Sequence, residues 1–258
     1  MVALTMSQVR VLILRAPGTN CDMETVFAFE QAGAMATRVH INQLVRGDEC
    51  LSDYQILVVP GGFTYGDDIS AGRVLANEVR MGLGEDVPRF IEEGGLVLGI
   101  CNGFQVLVKA GILSVNSGSI PLTLTDNDSG RFECRWVHLA ANSASPCVFT
   151  KGIDRMSLPV AHAEGKVVFD GAVPEANIAL RYADEQGNCG AGYPYNPNGS
   201  MADIAGLCDD TGRVFALMPH PERFVRGTQH PQWTRRSIGE HGDGLRIFQN
   251  AVRWAEAL

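Results

Sequence analysis

The sequence has no long apolar run, no basic stripe and no paired cysteine motif, and each absence argues against a class of protein. No stretch approaches the roughly 20 consecutive apolar residues of a membrane-spanning helix, so we expect no membrane partner. Acidic residues outnumber basic ones by 29 to 21, for a net charge of −8, which makes nucleic acid a poor partner. The first residues, MVALTMSQVR, lack the basic segment and apolar run of a secretory signal. We therefore expect a cytoplasmic location.

The cysteines are odd in number and scattered. No two of the seven form a Cys-x-x-Cys pair, which argues against a disulfide framework or a zinc site. We therefore expect no metal, and we expect most of these thiols to be small core side chains. The glycine-rich loops also lack the lysine of a Walker A phosphate loop, so no ATP site is expected in this chain.

What is present is a chain of 258 residues, 45% of them hydrophobic, which suffices for one large α/β domain. Up to about Ser114, short and continuously apolar strands alternate with helical segments, a pattern typical of a parallel sheet covered by helices. Beyond Ser114, the predicted strands are separated by turns, which indicates antiparallel strands added to the parallel sheet. We predict a three-layer, open, mostly parallel α/β sheet of flavodoxin-like outline, with residues 1–258 in a single domain. The predicted strands are 9–14, 37–41, 55–59, 96–100, 131–139, 158–160, 167–169, 178–182, 203–207 and 213–217.

One strand leads into a turn that has the form of a nucleophile elbow. Residues 94–105 read GGLVLGICNGFQ, and Gly99-x-Cys101-x-Gly103 places cysteine where serine is the more familiar nucleophile. Glycines flank a nucleophile there because side chains would collide with the strand or the helix. The sulfur also lies at a helix N-terminus, where backbone N–H groups favour the thiolate. We interpret Cys101 as a nucleophile; the alternative is a small buried side chain.

A thiolate nucleophile needs a base, and one of the six histidines stands out. His220 follows the predicted strand 213–217 and has a proline on either side, which prevents regular helix. If the segment stays extended, Glu222 points to the same side as His220. A carboxylate placed there can hold the tautomer and the orientation of the imidazole. The alternative is a surface His–Glu pair.

A glycine pair ends another predicted strand. Gly61 and Gly62 follow strand 55–59, and backbone N–H groups there, with that of Asn102, are suited to stabilising an oxyanion. Since sites gather at the carboxyl ends of parallel strands, we expect this loop, Cys101 and His220 at one edge of the sheet. Without Cys101, a plain turn would be the better interpretation of the two glycines.

With these residues the chain resembles the class I, or triad-type, glutamine amidotransferases, and more narrowly the glutaminase components of phosphoribosylformylglycinamidine synthase. The elbow alone indicates only the superfamily, whereas the PGGFTYGD, PVAHAEG and MPHPER blocks together indicate this synthase. The matching blocks, in the family's order, are PGTNCD (17–22), PGGFTYGD (60–67), GICNGFQ (99–105), PVAHAEG (159–165), NPNGS (196–200), DIAG (203–206), MPHPER (218–223) and DGLRIFQ (243–249).

The resemblance implies a role for each of these site residues. Cys101 would be the nucleophile, His220 the base and Glu222 the acid that orients it. His162 is a rival histidine that we assign to the rim of the site or to a partner contact. The residues expected to bind glutamine or its oxyanion are Gly61, Gly62, Phe63, Asn102, Gln105 and Asn196.

The resemblance also implies partners. The chain would hydrolyse L-glutamine through a cysteine thioester, with no cofactor of its own, and deliver ammonia to a separate synthetase subunit. That subunit would use ATP and Mg²⁺ to convert formylglycinamide ribonucleotide to formylglycinamidine ribonucleotide in purine biosynthesis. A small third subunit is expected in the complex.

Some positions depart from the family's pattern, and other interpretations stay open. Ala163 stands where the family commonly has glycine, residues 68–70 are less bulky than usual, and segment 228–242 is longer than in short members. The alternatives are a peptidase-like cysteine hydrolase on the same scaffold, a non-catalytic subunit that keeps the fold, and a sister amidotransferase that feeds another pathway.

Overall fold

A computed structural model describes residues 8–115, 118 and 120–258. Among these, no helix is long and apolar enough to cross a membrane. The helices are α1 (Asp22–Gln31), α2 (Ile41–Arg46), α3 (Arg73–Gly82), α4 (Asp86–Glu92), α5 (Asn102–Lys109) and α6 (Leu245–Ala255). The strands are β1 (Arg10–Arg15), β2 (Met35–His40), β3 (Ile56–Val59), β4 (Leu96–Ile100), β5 (Leu122–Asp126), β6 (Glu133–Ala141), β7 (Arg155–His162), β8 (Glu164–Phe169), β9 (Ile178–Ala183), β10 (Ile204–Cys208) and β11 (Val214–Leu217).

The main sheet has a parallel half and an antiparallel half. Its strand order is β2-β1-β3-β4-β11-β10-β9-β6-β7. Neighbours from β2 to β11 pair in parallel, and those from β11 to β7 pair antiparallel. A separate ribbon joins β5 to β8. The prediction of an open α/β sheet with antiparallel additions is confirmed. Strand 213–217 was wrongly placed among the antiparallel strands, because as β11 it pairs in parallel with β4 and antiparallel only with β10.

Helices cover the parallel half of the sheet. Helix α1 packs on β1, β2 and α6, and helix α5 packs on β3, β4 and α3. Every residue of β3, β4 and β11 is buried, as expected for strands with both faces covered. The continuous apolar runs that suggested parallel strands therefore form the centre of the core.

Two elements escaped the sequence prediction. Strand β2 was expected to run through Ile41, but it ends at His40, where a capping box starts α2: the His40 side chain accepts the Asn42 N–H and Gln43 accepts the His40 N–H. Histidine is not among the residues normally preferred at a helix N-cap, so the signal was missed. Strand β5 was missed because Leu124 is its only fully buried residue.

The elbow between β4 and α5 is built on a close approach of backbone. Cys101 has φ 51° and ψ −105°, a conformation that costs energy in a residue with a side chain. A Cβ on Gly103 would lie 1.8 Å from the Val59 carbonyl oxygen, and one on Gly99 would lie 2.9 Å from the Gly103 carbonyl carbon. The predicted collision of side chains at Gly99 and Gly103 is therefore confirmed: α5 can approach β3 and β4 only if these residues have no side chain.

We predict that Gly103→Ala lowers the free energy of unfolding by about 2 kcal/mol or more, because overpacking against backbone cannot relax easily. The loss is expected although alanine is the better helix former. Urea unfolding of the variant measures it. Gly239→Ala is the matched control, since a Cβ there has no neighbour within 4 Å. Equal stability of the Gly103 variant and the wild-type chain would contradict this account of the elbow.

Candidate active site

Three neighbouring strands bring the predicted site residues to one edge of the sheet. Strands β3, β4 and β11 are adjacent and parallel. Gly61 and Gly62 lie just beyond β3, Cys101 directly follows β4, and His220 lies beyond β11. The His220 N–H donates to the Pro159 carbonyl at 2.8 Å, which fixes this segment against β7. The sequence predicted this convergence because sites gather at the carboxyl ends of parallel strands.

Cys101 is buried but borders a cavity. Its side chain is only 6% exposed, and its Sγ lies 3.7 Å from the Ala161 carbonyl oxygen. The adjoining cavity has a volume of about 190 Å³ and opens toward solvent. The residues that line it with Cys101 are Gly62, Phe63, Asp67, Ser70, Ala71, Gln105, Asp126, Ala161, His162, Ala163 and Glu164. A small polar molecule in this cavity would meet the sulfur directly.

His220 and Glu222 form a buried pair. Nδ1 of His220 lies 2.6 Å from Oε1 of Glu222, and neither side chain is accessible to solvent. The expectation of an extended segment was wrong, because residues Pro221–Arg223 form a 3₁₀ turn that starts at His220. The turn still brings the carboxylate to the ring. With Nδ1–H donating to Glu222, Nε2 is the free nitrogen, and it has no hydrogen-bond partner among the described residues.

The charge on Glu222 controls the protonation of His220. Burial alone would lower the pKa of His220, but the carboxylate of Glu222 and the neighbouring thiols Cys101 and Cys21 outweigh it, so the pKa lies well above its usual value. The raised pKa favours the protonated imidazole beside Cys101. A neighbouring cation stabilises a thiolate, so this arrangement suits a sulfur nucleophile.

Gly61 makes room for the imidazole. A Cβ on Gly61 would lie 2.9 Å from Cε1 of His220 and 3.1 Å from Sγ of Cys21. The sequence analysis assigned this residue to the oxyanion loop and missed its contact with His220. No sequence signal could have revealed the contact, because it depends on how β3 and β11 are placed on either side of β4.

The backbone of the loop after β3 is held by the PGTNCD block. The Phe63 N–H donates to the Gly18 carbonyl at 3.0 Å, and the Cys21 N–H donates to the Gly61 carbonyl at 3.1 Å. A Cβ on Gly62 would lie 2.8 Å from the Gly18 carbonyl oxygen. The Phe63 amide is thus unavailable to an oxyanion, and Phe63 contributes a half-exposed ring at the mouth of the cavity.

Two backbone amides are free to act as an oxyanion hole. No acceptor for the N–H of Gly62 or Asn102 is found in the part of the chain that the structure describes. Asn102 is the first residue of α5, where helical N–H groups have no partner within the helix. The predicted oxyanion donors Gly62 and Asn102 therefore keep that capacity.

The Asn102 and Gln105 side chains hold the walls of the cavity together. Oδ1 of Asn102 accepts from the Thr64 N–H and hydroxyl, and its Nδ2 donates to Asp67 and to Gln105. Nε2 of Gln105 donates to the carbonyl oxygen of Glu164. Gln105 lines the cavity as predicted, but its amide also bridges α5 to β8.

Asn196 does not reach this cavity. Its Nδ2 donates to the Ser200 carbonyl and to Asp203, and its Oδ1 accepts from the N–H groups of Gly199 and Ser200. It borders a different groove, beside Asp128. The prediction that Asn196 contacts glutamine is not supported by this position, because all of its polar atoms serve its own loop.

His162 lies deeper than expected. It was assigned to the rim, but it is 3% exposed and lines the cavity wall. Its Nδ1 hydrogen-bonds Oδ1 of Asn127 at 3.1 Å. Burial, with the positive charge of His220, lowers the pKa of His162 to about 3, so this ring stays neutral at physiological pH and cannot replace His220 as a base that cycles between charge states.

Two acidic residues of the wall were not among the predicted site residues. Asp67 and Glu164 line the cavity, and burial, together with the charge of Glu164, raises the pKa of Asp67. Both stand inside blocks that carry the family resemblance, but nothing in their spacing indicates that the loop after β3 meets the β7–β8 junction.

One group of side chains among the described residues has the spacing of metal ligands. Atoms of Cys21, His220 and Glu222 lie within 4.8 Å of one another. Internal contacts already use them: Arg223 donates to Sγ of Cys21 at 3.0 Å, and Glu222 accepts from His220. A bound cation would have to displace the Arg223 guanidinium, so these residues are better suited to supporting the imidazole than to holding a metal.

The fold and this site together define a class of protein. The profile of the CobB/CobQ-like glutamine amidotransferase domain matches residues 8–255, so the chain is a glutamine amidotransferase by family.

Relatives define the family more narrowly. The chain is 58% identical to the phosphoribosylformylglycinamidine synthase subunit PurQ of Dehalococcoides mccartyi, over 98% of this chain and all of that protein. It is 43% identical to that of Methanococcus maripaludis, over 95% and 97% of the two chains. The solved structure of PurLQS from Thermotoga maritima contains a chain 33% identical, with a TM-score of 0.73 over 96% of this chain and 99% of that one. The chain belongs to the PurQ family of phosphoribosylformylglycinamidine synthase subunits.

We predict that Glu222→Gln lowers the pKa of His220, because burial then acts without the opposing carboxylate. NMR titration of the His220 ring measures it, with the exposed ring of His241 as an internal reference. A raised pKa in the folded state stabilises the fold fully below the unfolded value and loses that effect as pH rises through the folded value. The stability advantage of the wild-type chain over the variant should therefore shrink with rising pH. An unchanged His220 titration would contradict the assignment.

Proposed function

We propose that this chain is the glutaminase subunit of a phosphoribosylformylglycinamidine synthase. It hydrolyses glutamine through a thioester on Cys101 and passes ammonia to an ATP-dependent synthetase subunit. The observation that carries the proposal is the buried 2.6 Å pair of His220 and Glu222, set beside a cysteine on a strained elbow at the wall of a cavity. The PurQ relatives supply the pathway and the partners.

Cys101 acts first as the nucleophile. Its Sγ attacks the side-chain amide carbon of glutamine, so a C–S bond forms and the carbonyl oxygen becomes an oxyanion. The free N–H groups of Gly62 and Asn102 stabilise that charge. The strained backbone of Cys101 directs the sulfur out of the sheet toward the cavity.

His220 then moves protons through Nε2. It gives a proton to the amide nitrogen as the C–N bond breaks, which releases ammonia and leaves a γ-glutamyl thioester. It next takes a proton from water, whose oxygen attacks the thioester and frees glutamate and the thiol. Glu222 keeps the proton on Nδ1 and stabilises the imidazolium. No cofactor enters these steps; ATP and Mg²⁺ belong to the synthetase.

The protonation of ammonia in water explains why a partner subunit is needed. In water at neutral pH most ammonia is protonated and is no longer a nucleophile, so a sheltered route to the synthetase preserves its reactivity. We propose a complex with a PurL-type synthetase and a small third subunit, in line with the composition named for the Thermotoga maritima relative. The cytoplasmic location stays a prediction.

We predict weak glutaminase activity for the chain alone and at least about tenfold higher activity in the complex, within the usual range of coupling between sites. Glutamate release, measured with and without the co-purified synthetase, checks it. Cys101→Ser is the control and should abolish release in both states. Comparable turnover with and without the synthetase would contradict the expected coupling.

A second measurement separates this enzyme from a non-catalytic subunit that keeps the fold. A glutamine-analogue electrophile should label Cys101 and leave the other six cysteines unmodified. Absence of labelling would favour the binding subunit, and turnover of peptides instead of glutamine would favour the peptidase-like alternative.

A further inference from the structure

The helix that starts at the elbow carries a polar stripe, and its last member has no role in the mechanism above. Asn102, Gln105 and Lys109 are spaced three and four residues apart on α5, so they share one face of the helix. Asn102 and Gln105 bond the walls of the cavity. Lys109 lies two turns from Cys101 on the same stripe, and it contacts the same two parts of the cavity wall, the loop after β3 and the start of β8.

Lys109 makes a compact set of contacts although its side chain is only 9% exposed. Its Nζ lies 2.7 Å from Oε1 of Glu164, and it donates to the Ala71 carbonyl at 2.6 Å and to the Ser70 hydroxyl at 3.2 Å. The other carboxylate oxygen of Glu164 accepts the Ala71 N–H at 3.1 Å. Lys109 and Glu164, which we call the clamp, thus hold Ala71 by both its N–H and its carbonyl.

The segment held by the clamp is strained. In the loop 64–71, three residues other than glycine have positive φ: Tyr65 at 55°, Asp67 at 54° and Ile69 at 71°. Ile69 is β-branched and 87% exposed, so its own packing does not hold it there. Backbone strain of this kind persists only where surrounding contacts enforce it. Asn102 secures the start of the loop at Thr64, and the clamp secures its end.

The loop and the β7–β8 junction, which the clamp joins, both line the cavity beside Cys101. Asp67, Ser70 and Ala71 come from the loop, and residues 161–164 come from the junction. The ion pair holds α5 to the start of β8, because a nearly buried lysine without its carboxylate is unfavourable. The loop is held to this pair by the contacts to Ala71 and Ser70, and if the loop lifts, these contacts are lost together.

We propose that Lys109 is a positioning residue for glutamine: through Glu164 and Ala71 it keeps the 64–71 loop closed against the β7–β8 junction and so sets the affinity of the cavity for the substrate. Lys109 does not touch the reacting atoms. This inference rests on the proposed glutaminase function and deepens it, since it names a residue that shapes the substrate site through the residues that line it.

The first test is the kinetics of Lys109→Met in the complex with the synthetase. The variant keeps the length of the side chain but loses the charge. We expect KM for glutamine to rise about tenfold and kcat to stay within about twofold of the wild-type value, the pattern for lost binding without lost chemistry. Lys109→Arg, which keeps the charge, should restore most of the affinity.

The matched control is Lys166→Met. Lys166 stands on β8, as Glu164 does, and forms a 2.6 Å ion pair with Asp128. It does not line the cavity, and no hydrogen bond or ion pair joins it to the described residues of the 64–71 loop. We expect its KM to match the wild-type value. A similar rise in KM in both variants would overturn the proposal, because the loss of any lysine charge paired near this wall would then suffice.

The second test does not need turnover. Iodoacetamide should alkylate Cys101 faster in Lys109→Met than in the wild-type chain, because a loosened wall exposes the sulfur, and the rate at the exposed Cys134 should be unchanged. Glu164→Gln, which keeps the side-chain shape, should act in the same direction and serves if Lys109→Met does not fold. Wild-type rates of alkylation together with a wild-type KM would refute the clamp, as would a loss of kcat at constant KM.

The two tests separate the proposals. If the wild-type complex has no glutaminase activity, the proposed function fails, whereas the alkylation rates still decide whether Lys109 holds the wall. If the wild-type complex is active and Lys109→Met equals it in KM and in alkylation, only the clamp fails.

Discussion

The whole site depends on the contact between the backbone of α5 and the end of β3. Gly103 lies so close to the Val59 carbonyl that no side chain fits between them, and this contact allows the chain to turn at Cys101 with positive φ. The turn sets the direction of the sulfur and the orientation of the polar stripe on α5. It also leaves the Asn102 N–H at the start of the helix without an acceptor. The position of the sulfur, the free Asn102 N–H and the polar stripe at the cavity wall thus all depend on the close contact of Gly103 with Val59.

Glycine has a different purpose at each place around this site. Gly103 allows α5 to approach β3, Gly61 leaves space for the His220 ring, and Gly62 allows the loop of the PGTNCD block to pack closely. The imidazole is then enclosed between Gly61 on one side and its buried partner Glu222 on the other. Because packing fixes the ring and the carboxylate of Glu222 raises its pKa, the imidazole is placed and biased toward its protonated form before substrate arrives, which is the condition for electrostatic preorganisation.

The sequence could predict the parts of this arrangement that depend on local pattern. Strand β4 was placed at both ends, because an apolar run between Gly95 and the elbow leaves no alternative. Cys101, His220 and Glu222 were predicted because the elbow, the flanking prolines and the strand ends can be recognised in the sequence alone, and their catalytic roles stay a prediction. The family resemblance added the substrate and the partners, and the relatives bear it out.

What the sequence could not supply were contacts between distant segments. The meeting of Gly61 with His220 depends on the placement of β3 and β11 beside β4, and that of Lys109 with Glu164 depends on the packing of α5 against the start of β8. The same limit explains Asn196, which looked like a substrate contact because its block matched the family, but whose amide closes its own loop. His162 was misplaced because exposure cannot be read from a histidine inside a polar block.

The most direct test of the central claim is to trap the covalent intermediate. The complex is mixed with glutamine, quenched in acid within a turnover and digested, and the peptides are analysed by mass spectrometry. The account predicts a γ-glutamyl group on the peptide that contains Cys101, and no such group in His220→Asn, which lacks the proton donor for the leaving ammonia. Glutamine turnover in Cys101→Ala, or an adduct on a different cysteine, would contradict it.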